Sequence, residues 1–200
     1  MRRVAAVVAM ALLVGCAGTA DEEPDAGDGG ATSSPAASSP AAAADLEAVE
    51  TFEDLSHDHV RGSVAYPETP PVGGPHNARW LACGGYGEPV PPEAAVHSME
   101  HGAVWITYRP GLDAAGVAGL TELAEIDEEY VLVSPYDEEL PAPVVASSWG
   151  VQLRADGPND PRLRLFVERY AGGDQGGEPG APCRTDGLTL EQARDVVENG

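Results

Sequence analysis

From Ala103 to Tyr108 the chain is apolar, β-branched or aromatic, and Pro110-Gly111 cut the run off, so the pattern predicts a buried strand. Directly ahead of it, Pro92-Glu93-Ala94-Ala95-Val96-His97-Ser98-Met99-Glu100-His101-Gly102 reads as one short helix. Proline suits a first helical turn, where its missing N–H costs nothing, and glycine suits the left-handed stop. Leu112, Val117, Leu120, Leu123 and Ala124, with acids around them, predict an amphipathic helix to about Glu128 that Gly116 and Gly119 weaken. Tyr130 to Tyr136 predicts a second strand, and Val144 to Leu153 a third, around Trp149-Gly150. Asp160-Pro161 supplies an N-cap and a first-turn proline for a helix through Leu163, Phe166, Val167 and Tyr170. Leu46 to Phe52 reads as a helical lead-in and Thr189 to Val197 as a closing helix. The order β-α-β-β-α predicts an α+β fold, a small mixed sheet with packed helices, and it is also the order of the back half of a thioredoxin-like fold.

The segments between these elements have no period. Pro67, Pro70 and Pro71 hold the chain extended, Gly73-Gly74-Pro75 turn it, and Cys83 to Gly87 continue in the same style, so long constrained loops are expected. Ala171 to Arg184 is another loop. At the other end, Met1-Arg2-Arg3 and the apolar run Val4 to Val14 form a basic start and a hydrophobic stretch too short to span a bilayer stably. The run closes on Leu13-Val14-Gly15-Cys16, the spacing of a bacterial lipobox. Residues 1–16 are therefore read as a lipoprotein signal peptide with Cys16 lipidated, the plain alternative being a secretory signal with an incidental cysteine. Residues 17–44 are Ala, Ser, Pro, Gly, Asp and Glu with almost no large apolar side chain, which predicts a disordered stalk. Residues 45–200 remain for a single globular domain. These readings place the protein outside the cell, tethered to the outer face of the membrane by its lipid.

The formal charge is −22 and all 11 basic residues are arginine, a field that disfavours nucleic acid as a partner. Arginine without lysine, beside abundant Ala, Gly and Pro, points to a GC-rich genome and says nothing of function. Apart from Cys16, the cysteines are Cys83 and Cys183, and an exported chain pairs them as a disulfide; free thiols serving as metal ligands or nucleophile are the alternative.

The chemistry lies with the histidines. On a helix His97 and His101, four apart, share a face with Glu93, and Glu100 neighbours His97 at the three-residue spacing. Two imidazoles one turn apart are a half-site for zinc or copper, and His76 and His59, carried on the constrained loops, are candidates to complete it. Were the segment extended, His97, Met99 and His101 would share a face suited to copper. His57 reads as an exposed loop residue. Three other readings stay open. The histidines can be polar groups satisfied by backbone carbonyls. His97-Ser98-Met99-Glu100-His101 also fits H-x-x-E-H, the inverted zinc-peptidase motif with Glu100 as base, with Glu168 or Glu178 as a further acidic ligand. Finally, Tyr66, Trp80 and Tyr86 can anchor a protein partner in a docking module without metal or catalysis.

His59-Val60-x-Gly62-x-Val64-x-Tyr66, Pro70-Pro71-Val72-Gly73-Gly74-Pro75-His76, Trp80-x-x-Cys83-Gly84-x-Tyr86, Val96 to Val104 and Pro179-Gly180-x-x-Cys183 together give the chain a family likeness. Over about residues 45 to 185 it resembles the family catalogued as domain of unknown function 3105. The resemblance implies an exported or membrane-anchored, largely bacterial protein with no established activity. It marks His59, His76, His97, His101, Cys83 and Cys183 as the family's polar signature, and since leucine is common there in place of Met99, it counts against methionine as a ligand.

Overall fold

The structure, a computed structural model, describes residues 45–178 and 180–200. The expected signal peptide, Cys16 and the stalk to residue 44 lie outside the described residues. In chain order, β1 (Glu50–Thr51), β2 (His59–Val60), β3 (His76–Asn77) and β4 (Gly84–Gly85) are short pieces set in the Pro/Gly-rich first part, followed by α1 (Pro92–Glu100) and β5 (Val104–Tyr108). Then come α2 (Ala114–Ala124), β6 (Val131–Pro135), β7 (Val144–Ser148), β8 (Val151–Ala155), α3 (Pro161–Tyr170) and α4 (Leu190–Glu198).

The α+β class and the mixed sheet are as the pattern predicted. Six strands form the main sheet in the order β1-β8-β7-β5-β6-β4, while β2 and β3 pair separately. Strand β5 is parallel to β6 and antiparallel to β7. Every residue of β5, β6 and β7 is buried, which is why these segments read as unbroken apolar runs rather than alternating ones: both faces of the sheet are covered. Side chains still alternate between the faces. Trp105 turns to the α1 side with Val96, Met99, Leu132 and Trp149, while Val104, Ile106 and Tyr108 meet Leu120, Leu163 and Phe166 from α2 and α3.

Two local expectations are corrected. The run Val144 to Leu153 is a hairpin of two antiparallel strands, not one strand, because Gly150 takes a positive φ of 71° and reverses the chain at Trp149-Gly150. Apolar content reports burial and leaves strand number to the turn residue. The lead-in Leu46 to Phe52 is no helix either: Glu50 and Thr51 pair antiparallel with β8, so the open sheet edge outweighs helix propensity.

Asp113 and Asp160 cap α2 and α3 by accepting from the Gly116 and Arg162 amides, and Thr189 with Gln192 forms a capping box at α4. Cys83 and Cys183 are joined as a disulfide with their Cα atoms 5.1 Å apart. The segment before Cys183 crosses the C-terminal end of α1, and two glycines permit it. A Cβ on Gly102, whose φ is +99°, would stand 2.7 Å from the Gly173 carbonyl oxygen, and one on Gly176 would stand 2.0 Å from that of Glu100. This strap is further tied by the Gly172 amide donating to the Gly102 carbonyl at 3.0 Å. Among the described residues no helix is long and apolar enough to cross a membrane.

Candidate metal centre

Helix α1 is buried along nearly its whole length, with Glu93 through Glu100 all covered. Its four-residue spacing stacks His97 on His101, ring centroids 4.8 Å apart and planes within 15°. Strands β2 and β3 run parallel in a register that pairs His59 with His76. Because β3 packs against α1, the three rings of His59, His76 and His97 form a triangle with each pair of centroids 4.9 Å apart. Glu100 enters from the helix, its Oε2 lying 2.9 Å from His76 Nε2 and 3.8 Å from His59 Nε2. One ligand atom from each of His59, His76, His97 and Glu100 falls within 4.8 Å of the others. Ligand atoms around a tetrahedral ion with bonds of about 2.0 to 2.1 Å stand roughly 3.4 Å apart, so the spacing is of coordination size.

Hydrogen bonding fixes which nitrogens are free. His76 Nδ1 donates to the Gly74 carbonyl at 2.8 Å, His97 Nδ1 to that of Asn77 at 2.6 Å, and His101 Nδ1 to that of Glu178 at 3.0 Å. Each ring thus turns its Nε2 lone pair inward, the outer-shell arrangement that orients imidazole ligands. Glu100 is braced in the same way. His57 Nδ1 donates to its Oε1, and the His57 ring stacks on Trp149 at 4.5 Å. Despite their 2.9 Å separation, His76 Nε2 and Glu100 Oε2 are not aligned as a hydrogen bond, and among the described residues neither has a partner, though both are fully buried. Two buried acceptors facing each other repel unless a cation lies between them.

Burial pushes His97 down to about 4, its neighbouring rings adding to the effect, and holds His76 below the ordinary imidazole value against the opposing pull of the Gly74 carbonyl and the Glu100 carboxylate, so both are neutral near pH 7 and keep the lone pair a metal needs. For the metal-free protein this sets a pH dependence. The unfolded ring of His97 takes up its proton near 6.5 and the folded one only near 4, so as pH falls through that interval the unfolded chain binds more protons and stability is lost; above 6.5 the group contributes nothing to the slope. Urea unfolding of chelator-treated protein should show a loss of about 2 to 3 kcal/mol between ~pH 7.5 and ~pH 4.5. Stability that held or rose on acidification would contradict it.

The expected histidines are therefore divided. His59, His76 and His97 meet, whereas His101 forms a second group with His97 and Glu178, again within 4.8 Å. Glu93 leaves the stripe to accept the Val64 amide at 2.8 Å. Met99 faces the core at 0% exposure, so the face shared by His97, Met99 and His101 that an extended segment would give does not exist. His57 is the exposed loop residue the sequence predicts, with 50% of its side chain exposed, but its contact with Glu100 is not legible there, and the motif offers Glu100 as a base where the structure sets it beside His59 and His76. The signal for Glu100 was its spacing from His97; for His57 there was only its position two residues before His59.

The profile of a family described as "Protein of unknown function (DUF3105)" matches residues 57–185, a span holding all these histidines and both cysteines of the disulfide. Neither a curated protein nor a solved structure matches the chain.

Proposed function

Since the chain belongs to that family, whose description names no activity, we propose from its own residues that it is an exported lipoprotein whose domain binds one transition-metal ion, zinc or copper(II), through His59, His76, His97 and Glu100. The observation that carries this reading is the buried pair His76 Nε2 and Glu100 Oε2 at 2.9 Å, neither with a hydrogen-bond partner among the described residues. A cluster kept only for hydrogen bonding would place a donor against an acceptor there. Three imidazoles and a carboxylate suit zinc or copper(II); copper(I) favours sulfur, and here Cys83 and Cys183 are cross-linked and Met99 is in the core. The H-x-x-E-H reading is weakened because Glu100 accepts from His57 on one side and faces His76 on the other instead of facing a water on the metal. The docking alternative loses its anchors. Tyr66, Trp80 and Tyr86 pack on the core, and the two tyrosine hydroxyls donate to the carbonyls of Pro75 and Ala82.

The rest of the reading concerns location. A lipid on Cys16 would hold the domain at the outer face of the cell membrane, and the acidic surface would keep it from nucleic acid. The sheet segment β6-β5-β7-β8, a parallel pair extended by an antiparallel hairpin, supports kinship with thioredoxin-like folds, from which no activity is inferred. Elemental analysis of the mature chain made in an oxidising compartment tests the metal reading. One equivalent of zinc or copper is expected, held at least about tenfold more weakly in His76→Ala; metal-free wild type that takes up neither ion on dialysis would end it. His57→Ala, which removes only the brace on Glu100, should keep one equivalent and weaken affinity about 10- to 100-fold, measured by chelator competition.

A further inference from the structure

We infer that the centre has a second, outer position, formed by His97, His101 and Glu178, which exchanges a single ion with the inner position through the shared Nε2 of His97. This rests on the metal reading above and adds a site and a route to it. His97 Nε2 and His101 Nε2 stand 2.9 Å apart, and Glu178 Oε2 is 3.8 Å from the latter. Both Nδ1 atoms face backbone carbonyls, from Asn77 and Glu178, and so must donate there. The two Nε2 lone pairs then face each other at 2.9 Å, closer than the roughly 3.4 Å between ligand atoms of one tetrahedral ion, so an ion held by both requires the rings to part by about half an ångström. His97 cannot bridge two ions, since its Nδ1 is committed and one lone pair serves one metal, so the positions are alternatives.

They are also unequal. The inner set has four ligands, of which the His76 and Glu100 side chains are 0% and 2% exposed. The outer set has three, ending on Glu178 with 57% of its side chain exposed, and leaves a coordination place for water. An ion passing between them keeps its bond to His97 while His76, His59 and Glu100 are exchanged for His101 and Glu178. It is never stripped of protein ligands, which lowers the barrier to loading and release. The carbonyl that orients His101 belongs to the same residue as the outer carboxylate, so the strap places both at once.

Cobalt(II), whose visible absorption reports its ligand set, tests the proposal in the mature chain. His76→Ala should still bind one equivalent, at least about tenfold more weakly and with an altered spectrum, and adding His101→Ala should abolish that residual binding; Glu100→Gln replaces His76→Ala if the latter does not fold. In otherwise unaltered protein, His101→Ala and Glu178→Gln should each slow transfer of the ion to excess chelator at least about tenfold while changing equilibrium affinity less than about threefold. Residual binding indifferent to His101, no residual binding in the inner-site variant, two equivalents in the wild type, or unchanged transfer rates would each overturn the outer position. If the wild type binds one equivalent and these arms fail, the inner site stands without the route. A wild type that binds no metal removes both.

Discussion

Glu100→Gln is expected to stabilise the metal-free protein while nearly destroying its affinity for metal. In the wild type Glu100 Oε2 confronts the His76 Nε2 lone pair at 2.9 Å, both buried and without partners among the described residues. An amide of the same shape turns that contact into a hydrogen bond: its NH2 donates to His76, and its oxygen goes on accepting from His57. Relief of buried unpaired groups is worth about 1 to 3 kcal/mol, to be read as a rise in urea unfolding free energy of chelator-treated protein. Loss of the only anionic ligand of the inner set should cost metal affinity by about 100-fold or more, beyond the outer-shell effect predicted for His57. The opposite sign is equally informative. If the cluster is a structural ion pair, breaking it should destabilise the protein by about 3 to 5 kcal/mol, and the metal reading would lose its main support.

The second large effect belongs to the disulfide. Replacing Cys83 and Cys183 together by serine should lower unfolding free energy by about 4 to 5 kcal/mol, because the bond closes a loop of 100 residues and so restricts the unfolded chain over most of the domain. The loss should be the same with chelator and without added metal, since the bond acts on the unfolded state. Transfer of the ion to chelator should slow as well, with little change in affinity, because the strap that brings Glu178 over His101 loses its fastening beside Glu129, whose carbonyl accepts the Cys183 amide at 3.0 Å. Paired unfolding curves for the two proteins at equal metal concentration decide the matter. A difference below about 1 kcal/mol would mean that the unfolded chain is already compact enough for the cross-link to remove little.

Much of this was legible locally. The helix at His97, the strands at Val104 and Val131, the helix opened by Asp160-Pro161 and the cysteine pair all follow from period, caps and compartment. The hairpin at Trp149-Gly150 was hidden because both its strands are apolar and the turn depends on one glycine's φ. The site was half legible. Residue type marked His59, His76 and His97, but their meeting depends on the two-residue parallel pairing of β2 with β3, between stretches of Pro/Gly-rich chain that carry no period to read. The H-x-x-E-H motif makes Glu100 a base; what would make it a ligand is the presence of His76 and His59, 24 and 41 positions earlier, and only long-range pairing supplies that. His57 owes its role to the Trp149 ring beneath it, equally remote in sequence.

The way β1 is attached has a mechanical consequence. Glu50 and Thr51 pair, among the described residues, with Gln152 and Val151 at the edge of the sheet and are held there by the Glu50–Arg154 ion pair. Tension on a tether would peel that edge strand first and leave the central strands untouched. The next residues to bear load would be His57 and His59, the exposed brace and the exposed ligand of the proposed metal centre, so if the chain is anchored as proposed, a pull there would be felt as a change in metal affinity.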